Sequence, residues 1–304
     1  MKLKAYFALT LVCLIWGTTY FFIKLGVDHF PPFAFLGIRH FIAGLLLIAF
    51  ISLKRKNRIL FSWSNIKPQI LPGILLIATS NGVLGWVEQI VPSGLVAILF
   101  ALVPVQLAIY NGWIVRQEHQ SKYKIMGILI GFAGVLLIFQ SQLVSLQIRA
   151  YQWGLLVALL ATLSWSAGNI IGKQVKTEAN AFFNSAIQLL SGGFVLIILS
   201  FIFDSWRNIE PFNPQAMLSM SYLILFGSLA GFISYIYALE NLPVGQVTIH
   251  TYVNPLVAIV LGWKFLNEPL NINMILASGL ILSGVFLINF SYYSKNIRVK
   301  YRNL

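Results

Sequence analysis

Charge is scarce in this sequence, and cysteine is almost absent. Of 304 residues only 10% are Asp, Glu, Lys or Arg, against roughly 25% in an ordinary globular domain. A fold with 58% hydrophobic residues has too little polar cover to stand in water, which excludes a soluble enzyme, and too much apolar material for a disordered regulator. A single cysteine, Cys13, rules out an intrachain disulfide, so a disulfide-stapled secreted scaffold is excluded too. There is no Gly-rich phosphate loop, no paired-carboxylate metal motif and no His/Cys cluster. No cofactor and no metal is therefore expected, and intramembrane catalysis is not expected either. Carboxylates are short in one further place. All eight acids (Asp28, Glu88, Glu118, Glu178, Asp204, Glu210, Glu240 and Glu268) fall in or beside expected loops. None is placed deep in an apolar run, where a carboxylate would mark a proton pathway.

What the chain has in quantity is long apolar runs. A spanning helix needs about 20 mostly apolar residues. Ten such runs occur, at 5–26, 33–53, 69–87, 93–113, 122–140, 152–173, 181–203, 217–238, 245–265 and 272–293. The expected fold is an all-α integral membrane protein of ten transmembrane helices joined by short loops. The start could pass for a signal peptide, with Lys2 and Lys4 before an apolar run, but no small-residue cleavage site follows. The net charge of +13 follows topology. Basic residues gather in the first tail (Lys2, Lys4), after span two (Lys54, Arg55, Lys56, Arg58, Lys67) and after span four (Arg116, Lys122, Lys124). They recur after span six (Lys173, Lys176) and in the last tail (Lys295, Arg298, Lys300, Arg302). With ten spans these lie on one side, which predicts both termini in the cytoplasm of a cell (inner) membrane. The same segments could touch anionic lipid headgroups. No nucleic-acid partner is expected, because the basic residues lack a stacking surface.

The chain also echoes itself. Trp16 and Trp165 lie 149 apart, as do Lys24 and Lys173. The segment VPSGLVAILFALVPV (91–105) returns as LPVGQVTIHTYVNPL (242–256), pairing Pro92 with Pro243, Gly94 with Gly245 and Pro104 with Pro255. IMGILIGFAGVLLI (125–138) returns as ILASGLILSGVFLI (275–288). Two repeats, 1–146 and 147–304, are expected, with five spans each. Five is odd, so the second enters the membrane from the opposite face. Two inverted five-helix repeats have two near-equivalent arrangements, one open to each side, which suits alternating access.

These segments resemble the EamA-domain family of the drug/metabolite transporter superfamily. The likeness runs through WGTTYFFIKLG (16–26), EQIVPSGLVAILFALVPV (88–105), ENLPVGQVTIHTYVNPLVAIVLGWKFLNEPL (240–270) and SGLILSGVFLI (278–288). It implies ten helices, inward termini and movement of small metabolites, often export. The first half has RQEHQ (116–120) where the second has LNEPL, so those loops match only through Glu118 and Glu268. The expected function is transport of a small amphipathic or amino-acid-like metabolite across the cell membrane. Import of a sugar-like or nucleotide-sugar solute, or a non-transporting scaffold or signalling role, is the alternative.

Candidate site residues follow from position. Pro104 and Pro255 would kink spans four and nine as gates, or serve packing alone. Trp16 and Trp165 sit mid-span, where an indole offers a flat wall and one N–H donor; core filling is the alternative. Tyr20 and Asn169 lie one turn further on the same face. Arg39 is costly at depth: it could bind an anionic substrate group, with Glu88 a candidate partner, or snorkel to the outer headgroups. His40, beside it, reads as a packed neutral side chain. Trp86, Glu88 and Gln89 cap span three and could form an outer gate, or an ordinary polar loop. Tyr235, Tyr237, His250 and Asn254 add aromatic and hydrogen-bonding groups, and His250 could carry a proton or be structural. The cavity is expected between spans one to four and six to nine. Gly127, Gly131, Gly134, Gly279, Ser283 and Gly284 form small-residue faces for helix packing in one bundle, with a homodimer as the alternative.

Overall fold

The computed structural model describes residues 2–53, 61–110, 122–141, 149–206, 210, 213–242, 244–247 and 249–302. Lys54, Arg55, Lys56, Arg58, Arg116, Glu118, Pro243 and the junction at 146–147 lie outside the described residues. Ten helical segments follow one another, each close to an expected apolar run: α1 (Lys2–Val27), α2 (Pro32–Leu53), α3 (Trp63–Glu88), α4 (Ser93–Ile109) and α5 (Lys122–Ser141). Then come α6 (Arg149–Gln174), α7 (Ala181–Phe203), α8 (Pro214–Asn241), α9 (Val244–Val247 and His250–Phe265) and α10 (Ile272–Arg302). No strand occurs among the described residues. Six of the helices (α1, α2, α3, α6, α7 and α8) are long and apolar enough to cross a bilayer, and α4 and Ile272–Ile288 are shorter apolar helices. This is what a hydrocarbon solvent demands, since each backbone N–H and C=O must be satisfied within its own segment.

Side chains, some local and some from distant loops, finish several helix ends. Asn180 accepts the Phe183 N–H at 2.8 Å to open α7, and Asn213 accepts from Gln215 and Ala216 to open α8 behind Pro214. Asp204, just past α7, accepts the Phe33 and Ala34 N–H groups at 3.3 and 2.8 Å and so caps α2. Glu268, after α9, accepts the Ser93 and Gly94 N–H groups at 2.7 and 3.1 Å and caps α4. A carboxylate at a helix N-terminus satisfies free donors and meets the positive end of the dipole.

Packing is dominated by α2 against α7 and α5 against α10. Helix α1 lies against α8 and α9, α6 lies against α3 and α4, and α4 meets α9. Lipid gives no hydrophobic drive between helices, so close approach matters most. Glycines provide it: a Cβ on Gly284 would stand 2.5 Å from the Gly127 carbonyl oxygen, and one on Gly193 would stand 2.7 Å from the Phe41 nitrogen. Gly127 and Gly284 are thus taken up in the α5–α10 contact. Leu129, Phe132, Phe201, Trp263 and Phe286 are exposed, the outward surface that acyl chains cover.

Two helices are interrupted, though not at the prolines themselves. In α4 the helix tightens at Ala101 and Leu102, whose N–H groups donate to Ile98 and Leu99 at 3.1 and 3.0 Å. Pro104 then stands in the first turn of the continuing segment. Proline lacks its own donor and crowds the preceding turn, so the disturbance falls before it. In α9 the break lies between Val247 and His250, with Pro255 inside the helix that follows. Helices α3 and α8 each contain a π-helical stretch, Ile74–Gly82 and Leu223–Ala230. Wider turns of this kind are frequent at functional sites.

Candidate functional site

Where α1–α4 and α6–α9 converge lies a cavity of about 300 Å³. Its aromatic wall is built around Trp16, whose ring centroid is 5.0 Å from Tyr235, 5.2 Å from His250 and 6.3 Å from Phe232. Trp16 is held by its indole N–H, which donates to the Gly227 carbonyl at 3.2 Å. That carbonyl belongs to the π-helical stretch of α8, where the widened ladder presents a main-chain oxygen to a neighbour. Opposite, Tyr20 meets Phe100 edge-on at 6.3 Å. Trp165 and Asn169 enter from α6, and the Asn169 amide donates back to the Trp165 carbonyl at 2.8 Å. Asn254 reaches the lining from α9, its amide donating to the His250 and Cys13 carbonyls at 2.9 and 3.1 Å.

Eight of the ten side chains expected to meet substrate therefore share one space: Trp16, Tyr20, Arg39, Trp165, Asn169, Tyr235, His250 and Asn254. Pro255 lines it as well, and Pro104 does not. Two others stand elsewhere. Tyr237 is two residues past Tyr235, about 200° round the helix, and stays out of the cavity lining, packed against the apolar cluster of Ala5, Leu9, Cys13, Ala238, Leu242 and Val247 that Tyr235 also touches. Trp86, in the last turn of α3, lines a separate cleft of about 380 Å³ at the loop end of the bundle with Asp28, His29, Gln89 and Asp204. Burial lifts the Asp204 carboxyl above its ordinary range, and its two backbone donors pull partly the other way. Sequence reasoning passed over Asn81, Gln188, Ser228 and Phe232, which also line the cavity. The signal available for Asn81 and Ser228 was a polar residue beside glycine inside an apolar run, next to Gly82 and Gly227.

The ionisable groups differ from expectation in two respects. Glu88 ends its helix, as a loop-edge acid should, yet it is wholly buried and neither carboxylate oxygen has a hydrogen-bond partner. It lines neither the central cavity nor the cleft beside Trp86. Arg39 is only 4% exposed and faces the central cavity, so its guanidinium does not snorkel outward. Its Nε and Nη1 are also unpartnered, and no contact ion pair within 4.0 Å joins it to Glu88. His40 lines the cavity beside Arg39, and its Nδ1–H donates to the Leu36 carbonyl at 2.7 Å, which fixes the ring. His250 is held in the same manner, donating from Nδ1 to the Val247 carbonyl at 2.8 Å. Among the described residues no group of three or more His, Cys, Asp or Glu could hold a metal ion.

A second polar joint sits behind the cavity. Gln106 on α4 donates to the Thr162 hydroxyl at 2.7 Å and accepts from the Ser166 hydroxyl at 2.6 Å. It ties the segment following Pro104 to α6.

Comparison with known proteins places this geometry. The pattern of the EamA-like transporter family matches residues 3–140 and, a second time, 152–290. The chain is 32% identical over 290 residues to the uncharacterized inner membrane transporter YedA of Escherichia coli K12, covering 94% of this chain and 90% of that one. It is 28% identical over 286 residues to the uncharacterized transporter YoaV of Bacillus subtilis 168, covering 94% and 97%. A solved structure described as a crystal structure of a protein superposes with a TM-score of 0.64 at 16% identity, over 95% of this chain and 98% of the other. That likeness is one of fold.

Proposed function

Because this chain belongs to the EamA-like transporter family and is a multi-pass protein of the cell membrane, we propose that it carries a small amphipathic or amino-acid-like metabolite through the central cavity, outward, by alternating access. One observation carries this reading. The cavity is assembled from both halves of the chain, lined by α1–α4 and α6–α9 together. A scaffold has no need of a buried space lined by amides, aromatics and a guanidinium.

In this reading the chain is two inverted five-helix repeats, 1–146 and 147–304, with both termini cytoplasmic. Three features support it. The family pattern matches twice. The packing of α1 on α8 and α9 has its counterpart in α6 on α3 and α4. The π-helical stretches begin 149 residues apart, at Ile74 and Leu223. Two similar bundles round one site can rock so that either side closes. Trp16, Tyr20, Trp165, Asn169 and Tyr235 would contact the solute, and the interruptions near Pro104 and Pro255 would flex. Glu88 would act as a buried gate element beneath the cleft beside Trp86. The protein would act without a cofactor and without catalysis.

The test begins with an untargeted comparison of metabolites inside and outside cells with and without the protein. The solute found is then followed in proteoliposomes. Trp165→Ala should slow its movement about tenfold, equivalent to about 1.4 kcal/mol of lost interaction. Unchanged movement would remove Trp165 from the lining.

A further inference from the structure

We propose that the central cavity is a site for a small organic monoanion, with the carboxylate received by Arg39 and an aromatic-sized apolar body held among Trp16, Tyr20, Phe100 and Tyr235. The proposal rests on reading this cavity as the transport site and narrows its solute to the amphipathic anion, leaving out the amino-acid-like zwitterion.

Charge balance carries it. Arg39 is nine-tenths buried, lines the cavity, and leaves Nε and Nη1 without any partner. A guanidinium cannot shed its charge readily and presents a planar fork of N–H donors matched to a carboxylate. Placing one at membrane depth is unfavourable unless it finds water or an opposite charge. The protein does not supply that charge inside the cavity, because no Asp or Glu is among the lining residues. Glu88, the acid whose charge acts on the guanidinium through the protein, stays outside the lining and more than 4.0 Å away, so it leaves the fork of donors open. The other polar groups there are hydroxyls, amides, the Trp16 and Trp165 indoles and the His40 and His250 imidazoles, and none of them brings a negative charge.

Shape agrees with charge. A Cβ added to Gly227 would lie 3.3 Å from the Arg39 Nη2, so glycine leaves the guanidinium its room. The volume of about 300 Å³ is at the small end of ligand pockets, about 300–1,000 Å³. Aromatic faces suit a flat apolar body. An ammonium group, free or in a zwitterion, would enter a space that holds a cation and offers no carboxylate to meet it.

Four probes share one body and differ in charge: phenylacetate (anion), 2-phenylethanol (neutral), phenylalanine (zwitterion) and phenethylamine (cation). Binding to the full-length protein in lipid nanodiscs is measured by calorimetry at neutral pH. Phenylacetate should bind at least about tenfold tighter than each of the others, the scale of a charge-assisted bidentate pair. Arg39→Gln should reduce phenylacetate binding to the level of 2-phenylethanol, and Arg39→Lys should recover part of it. Phenylacetate that binds no tighter than 2-phenylethanol to the unaltered protein overturns the proposal, whatever the variants do. So does preferential binding of phenylalanine or phenethylamine, or undiminished phenylacetate binding by folded Arg39→Gln. Proteoliposome flux separates the two readings: a protein that binds phenylacetate but exchanges none keeps the anion site and loses the transport role.

Discussion

Ser166 and Gln106 show how one hydroxyl can hold two helices together in a solvent without water. The Ser166 hydroxyl donates to the Gln106 side-chain oxygen at 2.6 Å and is itself buried. Ser166→Ala would leave that oxygen without this donor, at a cost of about 1–3 kcal/mol. Thermal unfolding in detergent should show a lowered Tm, and Gln106→Leu combined with Ser166→Ala should recover part of it, because the stranded amide oxygen is then gone and the Thr162 hydroxyl still donates to the Leu159 carbonyl. Trp16 offers a second test at this scale. Its N–H bond to Gly227 fixes the wall of the cavity, so Trp16→Phe keeps the ring and loses about 0.5–1.5 kcal/mol of hydrogen bonding. Solute affinity should fall several-fold with little change in Tm. Much of this site was legible beforehand. Midplane tryptophans and a lone arginine in an apolar run are costly choices, and their cost is written in the sequence. Tyr237 and Trp86 stand outside the central lining for a geometric reason: Tyr237 is rotated away on its helix, and Trp86 sits at the end of α3, where the sequence had it capping the span, in a cleft of its own.

Elements are decided by what closes their ends and by how near they approach. Glu268 caps α4 from the far half of the chain. Removing such a cap costs about 0.5–2 kcal/mol, so Glu268→Ala should lower Tm and quicken hydrogen exchange at Ser93 and Gly94, leaving α5 and α10 unaffected. The α5–α10 pair answers to volume. With 2.5 Å between a Cβ on Gly284 and the Gly127 carbonyl, Gly284→Leu must force the two backbones apart. Overpacking costs typically about 1–3 kcal/mol, read as a Tm loss larger than that of Gly279→Leu, since a Cβ at Gly279 meets nothing within 4 Å. Helix existence was readable because about 20 apolar residues in a row have few alternatives. The π-helical stretches were not, because no residue type signals one extra residue per turn; Ser80, Asn81 and Gly82 look like any polar interruption. The proline pairs were visible, while the interruptions fall ahead of them: at Ala101 and Leu102 the ring of Pro104 and its missing donor disturb the preceding turn, whereas the break before His250 lies beyond the turn that Pro255 reaches.

At the scale of the whole molecule, the proposal is of two bundles threaded in opposite senses around one space. The lining carries it, drawing on eight helices and none of α5 or α10, whose contact with each other instead buttresses the bundle. Repeats at offsets of 149 to 151 made this legible in outline. The depth of Glu88 was not, because burial at a helix end depends on what packs over it from other parts of the chain. The most direct measurement is accessibility from each side. With Cys13 replaced by Ser and Asn81 by Cys, the protein carries one thiol, in the cavity wall. A membrane-impermeant thiol reagent is then applied to either face of sealed, oriented vesicles. Alternating access predicts labelling of that same thiol from both faces, with occupancy by solute slowing both. Labelling from one face only, with and without solute, would contradict it.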